Sequence, residues 1–410
     1  MRVLFTVAGW TGHYYCMVPL GWALRSAGHE VRVACPPELA DSVARSGLTP
    51  VPLLRGPDLM SLARFSHLLK SAEDRRVLPG LPLPLHPLTG RPLNDLADVD
   101  VRAVGAALWE DLAAAHRASA DAAVALARAW RPDLVCYSLM SQEGPLAARA
   151  AGVPAVFACP GYFGAAERGT ELDLGPDDPT GSFVRHGLRP WQREQTEYVI
   201  DPTPRRPALA HGDATVLPVA YVPYNGPATA PPPWAREPAR GRRVCLVWGK
   251  SAPAIFGGDV PALRAAVRAV ADAGAHLAVT APPEQVAALG DLPEGTLVAP
   301  GLPFQLLLED CAAVIHHGSA CTLMTAAVAG VPQLVLPLSD DAIETARRGT
   351  ASGTSVSVPA LTATGEQIRH AVHTVLSPPL RTAAQALRDD LLARPAPAAL
   401  VPRLEAVAAR

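Results

Sequence analysis

The sequence predicts an α/β protein of two similar, doubly wound parallel-sheet domains. Three observations predict it. An apolar strand–helix–strand opening occurs twice, each half carries a later strand–helix–strand of the same kind, and a proline-rich segment separates the halves. The 410 residues allow two or three domains at about 150 residues each. With 49% hydrophobic and 18% charged residues, the chain can fill cores of that size and is not a disordered polymer.

The first opening is Arg2-Val3-Leu4-Phe5-Thr6-Val7, an apolar run of strand length. Leu20, Ala23, Leu24 and Ala27 then repeat on one helical face, and Gly28 suits the helix C-cap. Residues 27–38 (AGHEVRVACPPE) continue into a second strand. The echo begins at Arg243-Val244-Cys245-Leu246-Val247-Trp248. Leu263, Ala266, Val267 and Val270 form its helical face, and residues 273–284 read AGAHLAVTAPPE. Buried strands separated by a helix imply βαβ units and a parallel sheet. The later strands are 132–137 and 312–315. Each leads into a helix closed by Gly-Val-Pro, at 152–154 and 330–332, and then into another strand. Glycine caps the helix and proline prevents its continuation.

Seven prolines in residues 218–240 mark a semi-rigid linker. The expected division is therefore an N-terminal domain at 1–217, the linker at 218–240, a C-terminal domain at 241–395, and a C-terminal helix at 396–410 that packs back on the N-terminal domain. A second proline-rich stretch, 77–93, reads as a loop bordering a cleft.

Charge and cysteine usage narrow the class. The net charge of -2 argues against a dedicated nucleic-acid binder. Lys70 and Lys250 are the only lysines. The seven cysteines are odd in number, scattered and without a C-x-x-C, so they read as reduced core residues. No stretch approaches the roughly 18 apolar residues of a membrane span, and the N-terminus has no secretion pattern. The expectation is a cytoplasmic protein.

The strongest chemical signal is Val314-Ile315-His316-His317-Gly318-Ser319-Ala320-Cys321-Thr322. A buried strand ends at His316 and a helix begins near Ser319. Small residues let a ligand approach the backbone, and the helix N-terminus favours an anion. A serine-capped turn alone also accounts for the pattern; the histidine pair at the strand exit favours a diphosphate site at the carboxyl edge of the sheet. His13 follows the first strand, on the ligand side of such a sheet. It is either a loop-capping residue or a neutral imidazole able to take a proton from a hydroxyl.

Three runs carry a resemblance. They are His13-Tyr14-Tyr15-Cys16-Met17-Val18-Pro19-Leu20-Gly21-Trp22-Ala23-Leu24-Arg25 with Gly28-His29-Glu30-Val31; Val222-Pro223-Tyr224-Asn225-Gly226-Pro227 with Pro233-Trp234 and Arg236-Glu237-Pro238; and His316-His317-Gly318 through Thr322, with Thr325-Ala326 and Gly330-Val331-Pro332-Gln333. Together they resemble the actinobacterial deoxysugar glycosyltransferases of macrolide and anthracycline biosynthesis. The resemblance implies the GT-B fold: two Rossmann-like domains facing a central cleft, an acceptor on the first and a nucleotide sugar on the second, with no metal. It implies His13 as the general base. His316, His317, Gly318, Ser319, Thr322 and Ser251 would bind the donor diphosphate, Leu302-Pro303-Phe304 would lie against the nucleobase, and Asp341 would contact the sugar. Met140, Tyr162 and Phe163 are candidate acceptor-pocket residues.

The implied function is inverting transfer of a deoxysugar from a dTDP-sugar, a co-substrate rather than a cofactor, to a polyketide-type aglycone. A P450-like activator is a candidate partner, and the chain would be a monomer or homodimer. Ser319 and Cys321 replace two family glycines, and Ala342 follows Asp341 where the family has glutamine. Loss of that amide suits a donor with fewer hydroxyls, since an unmatched polar site group is costly. The same departures motivate an alternative, a non-catalytic or accessory sugar-nucleotide-binding protein; a nucleotide-sugar epimerase also keeps the fold. Asp98-Val99-Asp100 reads as a helix cap before a metal motif. There is neither a G-x-G-x-x-G after an opening strand nor a Walker A or G-x-S-x-G motif.

Overall fold

The computed structural model describes all residues except 77–80, 170, 171, 173–176, 206, 229 and 236–240. Along the described residues the strands are β1 (Arg2–Thr6), β2 (Glu30–Ala34), β3 (Thr49–Val51), β4 (Leu134–Tyr137), β5 (Ala155–Ala158), β6 (Tyr198–Asp201), β7 (Thr215–Pro218), β8 (Arg243–Val247), β9 (His276–Thr280), β10 (Leu297–Val298), β11 (Cys311–His316), β12 (Gln333–Val335) and β13 (Ser355–Ser357). The helices are α1 (Thr11–Tyr15), α2 (Val18–Ser26), α3 (Ala40–Arg45), α4 (Leu59–Asp74), α5 (Val101–Trp130), α6 (Glu143–Ala151), α7 (Ser182–Arg185), α8 (Ser251–Phe256), α9 (Pro261–Asp272), α10 (Pro283–Ala288), α11 (Ala320–Ala329), α12 (Asp340–Thr350), α13 (Gly365–Val375), α14 (Pro378–Leu392) and α15 (Pro397–Ala408).

Two parallel sheets result. Their orders are β3-β2-β1-β4-β5-β6-β7 and β10-β9-β8-β11-β12-β13. In each, the chain runs outward from the first strand to one edge and then restarts on that strand's other side. The order therefore reverses between β1 and β4, and between β8 and β11. In open α/β sheets this reversal opens a crevice at the carboxyl ends, where ligands bind.

The chain forms two compact units, Met1–Asp58 with Glu110–Pro227 and Asp390–Arg410, and Leu59–Trp109 with Ala228–Asp389. Residues 59–109, part of the expected 1–217 domain, pack with the second unit. α4 is amphipathic, but helical periodicity does not say which core a helix joins. The expected linker and the 77–93 loop lie partly outside the described residues, at 229, 236–240 and 77–80. Of the resemblance runs, Arg236-Glu237-Pro238 does so entirely.

The first core packs Val3, Phe5 and Val7 against Leu20 and Leu24 of α2, and against Leu400, Val401, Leu404 and Val407 of α15. Each such side chain removed from water contributes about 1.5–3 kcal/mol. The chain's last helix is thus a structural part of the first unit, tied further by His29 Nε2 lying 3.0 Å from Glu405. The second core packs Leu246, Ile315 and Leu334 against Leu263, Val267 and Val270 of α9 and Ile368 of α13.

The expected Asp98-Val99-Asp100 cap has a definite geometry. Asp100 Oδ1 accepts from the amides of Arg102 and Ala103, at 3.1 and 3.0 Å, and starts α5. Gly144, in the first turn of α6, is held against β4. A Cβ there would lie 2.2 Å from Tyr137 Cβ and 2.7 Å from Thr6 Oγ1, both on buried side chains. Gly144→Ala should therefore cost about 1–3 kcal/mol by overpacking. The check is a fall in the urea midpoint with an unchanged denaturant slope.

Candidate functional site

In the second unit, the site elements gather where β8, β11 and β12 end. Register pairs His316 with Val247 on one side and with Val335 on the other. The segments that follow, 248–251, 317–319 and 336–341, are therefore neighbours at the carboxyl edge. His316 is fully buried and both ring nitrogens are engaged. The Gly318 amide donates to Nδ1 at 3.0 Å, and Nε2 lies 3.0 Å from Gln333 Oε1. An Nδ1 that accepts leaves the proton on Nε2, so the ring is a neutral donor to Gln333. Gln333 in turn donates through Nε2 to the Leu323 carbonyl, 3.3 Å away in α11. Burial pushes the His316 pKa down to about 3, and the neighbouring His317 adds to the shift.

His316 thus holds the turn rather than presenting a ring nitrogen to a ligand, unlike the role implied for it. His317 packs its ring edge-to-face on Trp248, with centroids 5.6 Å apart, and burial lowers its pKa to about 4. Gly318 has φ +99°, and a Cβ there would meet Val335 Cγ1 at 3.0 Å. Both backbone and space require glycine at that point. Ser319 is the N-cap residue of α11, but its hydroxyl makes no capping bond. It pairs instead with Thr322 Oγ1, at 2.7 Å. Two hydroxyls therefore stand at the helix start, where backbone N–H groups lack intrahelical partners.

The remaining donor-side residues divide by burial. Ser251 is the first residue of α8 and Asp341 lies in the first turn of α12, exposed. Ala342 borders the turn: its carbonyl oxygen would lie 3.5 Å from a Cβ at Gly318. Leu302 and Phe304 are buried with Val247 and Leu308 in a core cluster. Their side chains face the core and are not free to stack on a ligand. Thr280 Oγ1 donates to the Leu302 carbonyl at 2.8 Å and fixes this segment to the end of β9.

In the first unit, His13 lies in the short helix after β1, with Leu139 and Met140 at the end of β4. His13 stacks on Trp10, with ring centroids 6.2 Å apart. Its Nδ1 is buried without a hydrogen-bond partner among the described residues. Burial lowers the His13 pKa to about 4, opposed by a hydrogen bond to the Leu139 backbone. Met140 has φ +64°, an αL conformation uncommon for a side chain of its length, and strain of this kind collects at functional sites. Met140 lines a cavity together with Tyr137, Ser138, Gln142, Trp191 and Arg193.

Tyr162 and Phe163, the other two acceptor candidates, are 1% and 8% exposed and do not line that cavity. The tight turn after β5 directs them into the core; the Tyr162 amide donates to Thr203 Oγ1 at 2.9 Å. Sequence reasoning missed the cavity's charged wall. Arg193 Nε donates to Asp177 Oδ1 at 2.5 Å, and Arg168 binds the same carboxylate. Sixteen residues separate Asp177 from Arg193, and no local pattern marks the pair. Ser138 and Ser141 serve the scaffold: Ser138 Oγ accepts from the Ala8 amide, and Ser141 Oγ lies 2.9 Å from Thr6 Oγ1. Glu143 accepts from Ser141 at 3.3 Å, and burial raises its pKa. Among the described residues no cluster of histidine, cysteine and carboxylate side chains is arranged to hold a metal ion, and no helix is long and apolar enough to cross a membrane.

Two reversed-order parallel sheets, an anion-suited turn on one and a desolvated imidazole on the other, define a GT-B glycosyltransferase. The comparisons agree. Residues 22–73 and 103–249 match the erythromycin biosynthesis protein CIII-like N-terminal domain, and residues 264–407 match its C-terminal domain. The 10-deoxymethynolide desosaminyltransferase of Streptomyces venezuelae is 36% identical, over 100% of this chain and 98% of that protein. The aklavinone 7-beta-L-rhodosaminyltransferase of Streptomyces galilaeus is 33% identical, over 100% and 96%. Among solved structures, spinosyn forosaminyltransferase SpnP superposes with TM-score 0.76 at 28% identity, and glycosyltransferase VinC in complex with dTDP with 0.75 at 30%. Each covers 100% of both chains. The chain belongs to the erythromycin biosynthesis protein CIII-like family, and it is a glycosyltransferase of natural-product biosynthesis.

The low pKa values of His13, His316 and His317, near 4, 3 and 4, have a thermodynamic consequence. Between pH 6.5 and about 4 the unfolded chain binds protons at these positions and the folded chain does not, so stability falls as pH falls through that window. Thermal melts from pH 7.5 to 4.5 should show it. In nitrogen NMR of histidine-labelled protein, the His316 ring should remain a neutral Nε2–H tautomer at pH 6. A His316 titration near 6.5 would contradict the assignment.

Proposed function

We propose that the enzyme transfers a deoxysugar from a dTDP-sugar to a hydroxyl of a polyketide-type aglycone, with inversion at the anomeric carbon. The observation that carries the reaction chemistry is the buried, unpartnered Nδ1 of His13 at the reversal point of the first sheet. The relatives' substrates supply the chemical class. In this reading the diphosphate of the donor lies on the turn 317–319 and the start of α11, with Ser251, Ser319 and Thr322 as hydroxyl donors. Asp341 receives sugar hydroxyls, and the cavity at Met140 receives the aglycone.

The acceptor oxygen attacks the anomeric carbon as its proton passes to His13. The bond from that carbon to the diphosphate oxygen breaks, and the electron pair leaves with the diphosphate. Amides and hydroxyls fixed before the reaction stabilise the developing charge without reorganising. The reading assigns no metal and no bound cofactor a step. It also carries a cytoplasmic location, a monomer or homodimer, and a P450-like activator protein. Turnover by the isolated enzyme, measured with and without such a protein, decides the last of these.

A lone alternative base would have to match His13 in burial and position. Glu143, the nearest buried carboxyl in sequence, hydrogen-bonds Ser141 and lies in the first turn of α6. His13→Ala should lower turnover by about 10²–10⁴-fold while leaving dTDP affinity unchanged. Unchanged turnover removes His13 from the role. The acid limb of kcat/KM should have its midpoint nearer 4 than 6.5, because the base works only while neutral. A product that keeps the donor's anomeric configuration would exclude direct displacement.

A further inference from the structure

A cation beside the turn at 317–319 would complement a diphosphate. His316 has both ring nitrogens committed, to the Gly318 amide and to Gln333, and burial lowers the pKa of His317 as well. The chain has only two lysines. Lys250 is the exposed N-cap residue of α8. Lys70 arrives on α4, from the segment that sequence reading assigned to the other domain.

α4 is fixed at two points. At one, Arg64 Nε donates to the Ala254 carbonyl of α8 at 2.7 Å, and the His67 ring meets Phe256 edge-on with centroids 4.6 Å apart. At the other, Lys70 Nζ lies 3.9 Å from Asp340 Oδ2, on the first residue of α12. α8 follows β8 and α12 follows β12, and these strands flank β11. Six helical residues span about 9 Å, and two strand spacings span about 9.6 Å. The helix therefore spans the segments after β8 and β12, which border the 317–319 turn, and its ammonium lies at the start of α12. Lys70 Nζ is held there by the exposed Asp340 and the half-buried Asp74, the latter at 3.3 Å. Exposed pairs of this kind are weak and exchange readily.

We infer that Lys70 is a donor-binding residue, whose ammonium leaves Asp340 for the diphosphate when the nucleotide sugar binds. This rests on the donor site proposed above. An ammonium at the rim can follow the phosphate oxygens as charge builds on the leaving group, which a fixed helix terminus cannot. Asp340 then acts as a placeholder that competes with the ligand, and the adjacent Asp341 is left to the sugar.

The competing account makes Lys70–Asp340 a clasp that merely holds α4 in place. The two accounts differ in sign. Binding of dTDP and of thymidine is measured by calorimetry on the full chain and on the Lys70→Met, Lys70→Arg and Asp340→Asn variants. If Lys70 binds diphosphate, Lys70→Met weakens dTDP about tenfold, as loss of one charge-assisted contact does, and leaves thymidine unchanged. Lys70→Arg restores most of the affinity, and Asp340→Asn tightens dTDP by removing its competitor. If the pair is a clasp, Lys70→Met and Asp340→Asn weaken dTDP alike, and the assignment falls. It falls alone if Lys70→Met binds dTDP as the unsubstituted chain does. Failure of the unsubstituted chain to bind dTDP removes the donor site itself, and this assignment with it.

Discussion

The buried imidazole of His316 is the constraint on which the second unit's edge depends. It links three pieces of backbone: the end of β11, the Gly318 amide beyond it and, through Gln333, the Leu323 carbonyl inside α11. Gly318 at φ +99° turns the chain while the ring occupies its N–H. With that amide committed, the helix start at Ser319 is set by the scaffold and not by its own cap. The Ser319 hydroxyl is then free to pair with Thr322 instead of the first-turn amides. A substitution at His316 would loosen all three pieces at once, because an unsatisfied buried group costs more than the hydrogen bond it loses.

Desolvation links this scaffold to the chemistry. A ring buried enough to be a rigid strut is also too buried to carry a charge. In the resting protein the histidine pair is therefore neutral, however suggestive it looks in sequence. On the proposed reading the leaving group is stabilised by amide dipoles, hydroxyls and the Lys70 ammonium. That division separates rigid donors from the adjustable one. It also explains why an arginine-rich protein would keep lysine here: an ammonium is a compact charge on a flexible stem, whereas guanidinium favours fixed bidentate partners.

Much of the fold was legible because strand burial and helix termination are local. The Gly-Val-Pro closures at 152–154 and 330–332 follow α6 and α11, whose C-cap glycines have φ +69° and +68°. The turn at 316–322 and the position of His13 were legible for the same reason. Side-chain direction was not. Whether His316 faces a ligand or a strand depends on Gln333, a diagonal neighbour on β12, and register is a non-local property. Tyr162 and Phe163 looked like pocket walls because they follow a strand, yet the turn after β5 sends them into the core. Residues 59–109 joined the second unit for a reason no periodicity carries: their partners, Ala254, Phe256 and Asp340, lie far along the chain.

Each sheet carries a histidine beside its reversal point, His13 after β1 and His316 at the end of β11, and the two differ in hydrogen bonding. The difference is one hydrogen bond. His316 has both nitrogens engaged, so a proton has nowhere to arrive and the ring can only hold structure. His13 is as strongly depressed in pKa, but its Nδ1 has no partner. An unpaired buried acceptor is unfavourable in the resting protein, and a hydroxyl donor that reaches it relieves the penalty. On the proposed reading, the same desolvation that stiffens one edge would leave the His13 ring ready to meet an alcohol. A duplicated βα frame can in this way separate anion binding from proton abstraction without any change of fold.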